Sequence, residues 1–189
     1  MKVIVDVGAA DMQVKKDATY YTFDIREDVA GDQFNSENVN HYNTGLYSDN
    51  TTIPLYVTKK GQCSSIYEPD LEVIKEAGTN PERFTVVKTI EVVVARMDSI
   101  LPSDLKIDYL KIDTQGSELD VLKGAGDLLY NVAKVECEVE FIPLYKGQPL
   151  FEDVKEYLQQ YGFTHTGYKR QVSWKQGVKA FADAIFVRK

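Results

Sequence analysis

The sequence predicts an α/β fold built on a mostly parallel sheet, and three stretches carry that prediction. Val3-Ile4-Val5-Asp6-Val7-Gly8 is a short apolar run closed by glycine, the pattern of a parallel strand buried on both faces. A second such run ends at Asp113 and passes through the polar turn Thr114-Gln115-Gly116 into a segment with Leu119, Leu122, Ala125 and Leu129 at helical spacing. Residues 163–171 and 182–187 then close the chain as two strands, most simply an antiparallel hairpin.

Taken in order, Tyr20-Tyr21-Thr22-Phe23-Asp24 follows the first strand as a second strand ending in an acid. Strand, glycine turn, strand and terminal acid are the parts of a mononucleotide-binding βαβ unit, in which the acid bonds ribose hydroxyls. The connection between these strands holds only about a dozen residues, too few for a usual crossover helix. We therefore expect that helix to be shortened to one or two turns over residues 11–16. A short helix is expected over 36–42, and a strand running into a turn over 43–50. Residues 52–58 are β-rich, with Pro54 restricting them to an edge or a strand start.

Asp70 and Gly78 bracket a short helix as cap and stop. Residues 84–96 form a long β-branched run, and 107–113 the strand before the central turn. Ser117 and Asp120 resemble a capping box, with Asp in place of the usual Glu or Gln. In the strand over 132–141, alternation sets Val135, Cys137, Val139 and Phe141 on one face and Glu136, Glu138 and Glu140 on the other. Three carboxylates on one strand face cannot all be buried without partners. Glu136 and Glu138 are expected on a partly exposed face, and Glu140, nearest the carboxyl end, in a site. Residues 151–161 form an amphipathic helix with Phe151, Val154, Leu158 and Tyr161 inward and Gly162 as its stop.

The 189 residues make one domain, spanning 1–189, long enough to bury a real core. A net charge of −7 without a Lys/Arg-rich run excludes non-specific binding to nucleic acid or an anionic membrane. No apolar stretch approaches the roughly 20 residues of a membrane helix, and the start lacks the pattern of a signal peptide. Cys63 and Cys137 lie far apart without metal-type spacing, which points to two idle thiols in a reducing, cytoplasmic setting.

Lys111-Ile112-Asp113-Thr114-Gln115-Gly116-Ser117-Glu118 with its Leu-Lys-Gly helix resembles the FkbM-type S-adenosylmethionine-dependent methyltransferases. Shorter pieces are similar in the same order: Val5-Asp6-Val7-Gly8-Ala9, Leu46-Tyr47-Ser48-Asp49, Ser64-Ser65-Ile66, Arg96-Met97-Asp98, Glu138-Val139-Glu140 and Asp183-Ala184-Ile185-Phe186. The resemblance implies a class I methyltransferase, Rossmann-like sheet with a C-terminal antiparallel hairpin. It implies S-adenosylmethionine as methyl donor and a hydroxyl of a sugar, glycoconjugate or secondary metabolite as acceptor. By that likeness Asp6, Gly8, Ala9 and Asp49 belong to the cofactor site, Asp24 takes the ribose hydroxyls, and Asp113 sits beside the transferred methyl. The turn Gly8-Ala9-Ala10-Asp11 is shorter than is usual in the family.

An aliphatic hydroxyl gains from a general base, for which Asp113, Glu118 and Glu140 are the candidates, with His41 and His165 as outsiders. Glu118 equally suits the helix N-terminus, where negative charge is stabilising. Paired acids at strand ends are also suited to Mg²⁺, but with no third ligand evident no metal is expected. Two rival readings remain: a non-catalytic relative that keeps the fold for binding or assembly, and a nicotinamide-dependent oxidoreductase. The latter is disfavoured because no Gly-x-Gly-x-x-Gly follows the first strand.

Overall fold

The computed structural model describes residues 1–8, 13–25, 32–174, 177 and 179–188. Its strands are β1 (Lys2–Val7), β2 (Ala18–Phe23), β3 (Val39–Tyr42), β4 (Gly45–Leu46), β5 (Thr51–Thr58), β6 (Val86–Ala95), β7 (Tyr109–Ile112), β8 (Lys134–Glu140), β9 (Phe163–Ser173) and β10 (Lys179–Arg188). Its α-helices are α1 (Leu71–Glu76), α2 (Met97–Ile100), α3 (Glu118–Ala125) and α4 (Phe151–Gln160). Seven strands make one sheet in the order β3-β2-β1-β7-β8-β10-β9, and β4-β6-β5 make a second. The first five strands of the large sheet run parallel, and β10 lies antiparallel between β8 and β9.

Alternation along the large sheet separates an apolar face from a charged one. Val5 and Val7 of β1, Leu110 and Ile112 of β7, Val135, Cys137 and Val139 of β8, and Ala184 and Phe186 of β10 join one core. Onto it pack Leu119, Val121, Leu122 and Ala125 of α3 and Phe151, Val154 and Leu158 of α4, as their helical spacing requires. The opposite face carries Asp6, Tyr109, Lys111, Glu136, Glu138 and Asp183, and among the described residues no α-helix joins it.

Glu136 and Glu138 are not partly exposed as expected: both are buried, as is Glu140. The partners come from strands that alternation in β8 alone cannot reveal. Tyr109 donates to Glu136, Lys169 pairs with Glu136 at 2.9 Å, and Arg170 bridges Glu138 and Asp183 at 3.2 Å each. Buried carboxylates thus gain charged partners from the edge strand β9.

Three local expectations give way. Residues 39–42 are not helical but form β3, paired in parallel with Tyr20 to Phe23. The Asn38 side chain ties this segment to Ala18 O at 2.6 Å, and the Asn40 side chain to Tyr20 O at 3.2 Å, a use of asparagine that competes with helix. In the first crossover residues 13–17 form no helix; positions 9–12 lie outside the described residues, so the expected turn over 11–16 is absent from the part that can be seen. Ser117 is the N-cap residue of α3 but makes no side-chain cap bond, and Asp120 accepts from Tyr67 Oη at 2.7 Å, so the capping box does not form.

Other local signals hold: Asp70 caps α1 by accepting from Val73 N at 3.1 Å, and Pro54 sits on the edge strand β5. Both cysteines are free and buried. No helix among the described residues is long and apolar enough to cross a membrane.

The two sheets are held in register at Gly124 of α3, where an added Cβ would lie 1.9 Å from the Tyr47 carbonyl oxygen. Alanine would add about 1 kcal/mol of helix propensity, but a clash against backbone costs about 1–3 kcal/mol or more. Gly124→Ala is therefore expected to lose net stability by up to about 2 kcal/mol, read as a lower urea midpoint; an unchanged midpoint would show that the helix can move away from Tyr47.

Candidate active site

The turn between β7 and α3 is organised by the first residue of the helix. The Glu118 carboxylate accepts from Thr114 N at 2.7 Å, from Thr114 Oγ1 at 3.1 Å and from Gly116 N at 2.9 Å. These bonds hold Gln115 at φ +58° and Gly116 at φ +101°. A non-glycine residue in that region is strained unless its surroundings fix it, and here they do. Ser65 Oγ donates to Gln115 O at 2.7 Å, tying in the loop after β5.

Held this way, the Gln115 side chain spans two carboxylates. Its Nε2 donates to Asp113 Oδ1 at 3.1 Å and to Glu138 Oε1 at 2.8 Å. Gly8, at φ +82°, lies under the same turn, where an added Cβ would be 2.0 Å from Asp113 O. Only glycine allows the carboxyl ends of β1 and β7 to approach this closely.

Four carboxyls, Asp113, Glu118, Glu138 and Glu140, share this region, and burial and mutual repulsion raise the three glutamates. Burial lifts Glu118 to about 7, against the pull of its backbone and Thr114 donors, with Asp113 adding to the rise. Burial, Asp113 and Glu118 raise Glu138 to about 8, outweighing the Arg170 guanidinium, whose side chain is 57% exposed. Glu140 is pushed well above the carboxylate range by burial and by Glu118, Glu138 and Asp113. Glu140 is thereby pushed towards its protonated form, while Glu138 sits near its own titration around neutrality.

A cleft of about 520 Å³ opens beside this turn, inside the roughly 300–1,000 Å³ range of small-molecule sites. It lies at the carboxyl ends of β1, β2, β7 and β8. The sheet order reverses between β1 and β7, and in open α/β sheets such a switch point is where ligands bind.

Of the residues singled out from the sequence, Gly8, Asp24, Asp113 and Glu140 line the cleft together. Asp6, Asp49 and Glu118 do not. Asp6 pairs with Lys111 at 3.4 Å. Burial raises Asp6 above its ordinary value although Lys111 opposes the rise, and burial also opposes Lys111, which Asp6 and Asp113 nonetheless raise. The pair is therefore a burial-strained contact behind the cleft wall, presenting Lys111 to it. Asp49 accepts from Asn50 N at 2.9 Å in the turn after β4. Ala9 lies outside the described residues. His41 bonds Thr22 Oγ1 through Nδ1 at 2.8 Å, His165 packs against Phe151 and Phe186, and neither lines the cleft. The polar loop over 63–68 lines the cleft through residues 63–66, and the loop over 143–149 through Leu144. Among the described residues no group of three or more His, Cys, Asp and Glu side chains could hold a metal ion.

Residues 6–164 match the profile of the methyltransferase FkbM domain, most of the chain. The chain belongs to the FkbM methyltransferase family. The crystal structure of methyltransferase FkbM from Methylobacillus flagellatus KT superposes with a TM-score of 0.57 at 12% identity, over 98% of this chain and 43% of that one. This FkbM chain thus spans less than half the length of that relative. Two further similar structures are magnesium protoporphyrin IX methyltransferase (ChlM) from Synechocystis PCC 6803 with bound SAM (TM-score 0.46, 13% identity, covering 98% of this chain and 69% of that one) and a TehB-like SAM-dependent methyltransferase from Corynebacterium glutamicum ATCC 13032 Kitasato (0.45, 11%, 100% and 80%). No curated protein matches the chain in sequence. The fold is the class I methyltransferase sheet with its C-terminal antiparallel strand.

Sequence reasoning set Glu138 on a partly exposed face rather than in this FkbM cleft, although it shares the strand face of Glu140. The bond from Ser65 to the Gln115 carbonyl spans 50 positions, and no local signal announces it. The proton-holding carboxyls have a thermodynamic consequence. Between the ordinary carboxyl value of 4.5 and about 8, the folded chain keeps protons at Glu138 that the unfolded chain releases, so stability falls as pH rises through that window. The melting temperature is expected to be higher at about pH 6 than at about pH 8.5, with a smaller difference in Glu138→Gln; a melting temperature that rises with pH would refute the assignment.

Proposed function

We propose that this chain is an S-adenosylmethionine-dependent O-methyltransferase acting on a hydroxyl of a sugar, glycoconjugate or secondary metabolite. The observation that carries the reading is the gathering of Gly8, Asp24, Asp113 and Glu140 around one cleft at the switch point. The donor set suits the cofactor. Asp24, at the end of β2, offers carboxylate oxygens to ribose hydroxyls, and Asp113 on the cleft wall offers oxygens to a sulfonium or an ammonium. The glycine at position 8 leaves the cleft floor free of a side chain.

Bound there, the cofactor supplies an activated methyl on a positive sulfur. The protein's part is to align the acceptor oxygen with that carbon, a contribution of several kcal/mol, and to receive the proton the oxygen loses. Asp113 is assigned as that base, oriented by Gln115 Nε2 at 3.1 Å. Glu140, which burial and its acidic neighbours push towards the protonated form, is assigned as a hydrogen-bond donor to the acceptor. Glu118 holds the turn on which Asp113 stands.

The rival, a non-catalytic binding protein of the same fold, is favoured by one observation. Residues 13–17 of the first crossover form no helix, so those residues bring no helix N-terminus to a cofactor.

Calorimetry with S-adenosylhomocysteine, S-adenosylmethionine and NAD separates the readings. Binding of the first two and not of NAD is expected, and no binding of either methionine compound at millimolar concentration sinks the enzyme assignment. Asp24→Ala is expected to weaken S-adenosylhomocysteine roughly 10-fold or more with the melting curve retained. Asp113→Asn is expected to lower kcat about 10²–10⁴-fold with little change in cofactor affinity; an Asp113→Asn enzyme with full turnover would place the base elsewhere.

A further inference from the structure

The cleft has a second chemical character, opposite in sign to its carboxyl wall. Lys60 and Arg83 both line it, brought together where Lys60 N donates to Arg83 O at 3.1 Å. Their sequence neighbours Lys59 and Glu82 pair with each other at 2.8 Å. That pair uses the one carboxylate next to Arg83, while Lys60 and Arg83 form no ion pair among the described residues. Two cations without counter-charges, on the rim of a cavity in a chain of net charge −7, raise the local attraction for an anion.

This rim is tied to the reacting end of the cleft. The loop from Lys60 runs through Cys63, whose carbonyl accepts from Tyr145 Oη at 3.0 Å, to Ser65, which bonds the Gln115 carbonyl. Trp174 and Phe84 line the same end and add apolar ring surface. The carboxyl wall is less negative than its formal count, because burial and mutual repulsion favour the protonated forms of Glu138 and Glu140. An anion at the rim therefore faces little long-range repulsion from that wall.

We propose that the acceptor is an anionic hydroxyl compound, a phosphorylated or carboxylated sugar or metabolite, whose charge is held by Lys60 and Arg83 while a hydroxyl reaches Asp113. The proposal rests on the O-methyltransferase reading for the fate of that hydroxyl, but the anion site stands without it. Guanidinium and ammonium groups make charge-assisted bonds to phosphate and carboxylate oxygens, about twice as strong as neutral ones. Arg83 supplies the planar fork and Lys60 the point charge.

The test is binding calorimetry at low salt with matched probes: glucose, glucose 6-phosphate and glucuronate. The phosphate and carboxylate arms separate the two sources of charge. At least one anionic probe is expected to bind about tenfold or more tighter than glucose. Its affinity is expected to fall by a similar factor in Lys60→Ala and Arg83→Ala, to vanish in the double variant, and to weaken as salt is added. Failure of both anionic probes to bind at 10 mM, equal binding of glucose, or retention of affinity in the double variant overturns the proposal. Circular dichroism melts of each variant guard against loss of fold. Calorimetry with S-adenosylhomocysteine on the wild-type chain reports separately on the methyl-donor reading: anion binding without it leaves the rim intact and removes the enzyme, and the converse removes the rim alone.

Discussion

Glu118 binds the backbone of the turn it follows, and the cleft is built outward from that contact. Three donors converge on one carboxyl group. They force Gln115 into a left-handed conformation that its own side chain does not favour. That conformation aims the Gln115 amide at Asp113 and Glu138 and its carbonyl at Ser65. One short segment thereby fixes a β7 carboxylate, a β8 carboxylate and a loop from the second sheet. Glu118, one of the three candidate bases read from the sequence, is the side chain on which the geometry of this turn depends.

The electrostatics follow from the same compactness. Carboxyl groups brought together at the ends of neighbouring strands cannot all ionise. The cluster responds by favouring protonated forms, at Glu138 up to about 8 and at Glu140 well above the ordinary carboxyl range. Such groups are of use to proton transfer because a base works best with its titration near the working pH. Polar satisfaction comes from long range: Tyr109 on β7 and Lys169 and Arg170 on β9 reach the glutamates of β8.

Much of this was legible in the sequence, and the reason is the strength of strand-end signals. Gly8, Asp24 and Asp113 each follow a buried run, and at the carboxyl edge of a parallel sheet that placement alone puts them in one crevice. The helices over 151–161 and after Ser117 follow from spacing, and the final hairpin from its two strand-like runs. What was not legible depended on pairing at a distance. Residues 39–42 have no strong local preference and become a strand because β2 offers an open edge. The runs 51–58 and 86–95 look like members of any sheet, and nothing local says that they form a second one. Glu136 and Glu138 read as exposed because their cations lie more than 30 positions away.

The placement of β10 between β8 and β9 bears on how the molecule comes into being. Synthesis proceeds from the N-terminus, and β10, which must enter the sheet interior, is made after the other described strands of that sheet. Until it arrives, β8 has an open edge, and Glu136 and Glu138 lack the cations that β9 brings. A nascent chain at that stage presents an unpaired strand edge, a liability for misassociation. The completed sheet therefore waits on the β9–β10 hairpin, and so do the cleft positions that this hairpin supplies, Arg170, Val172 and Phe181.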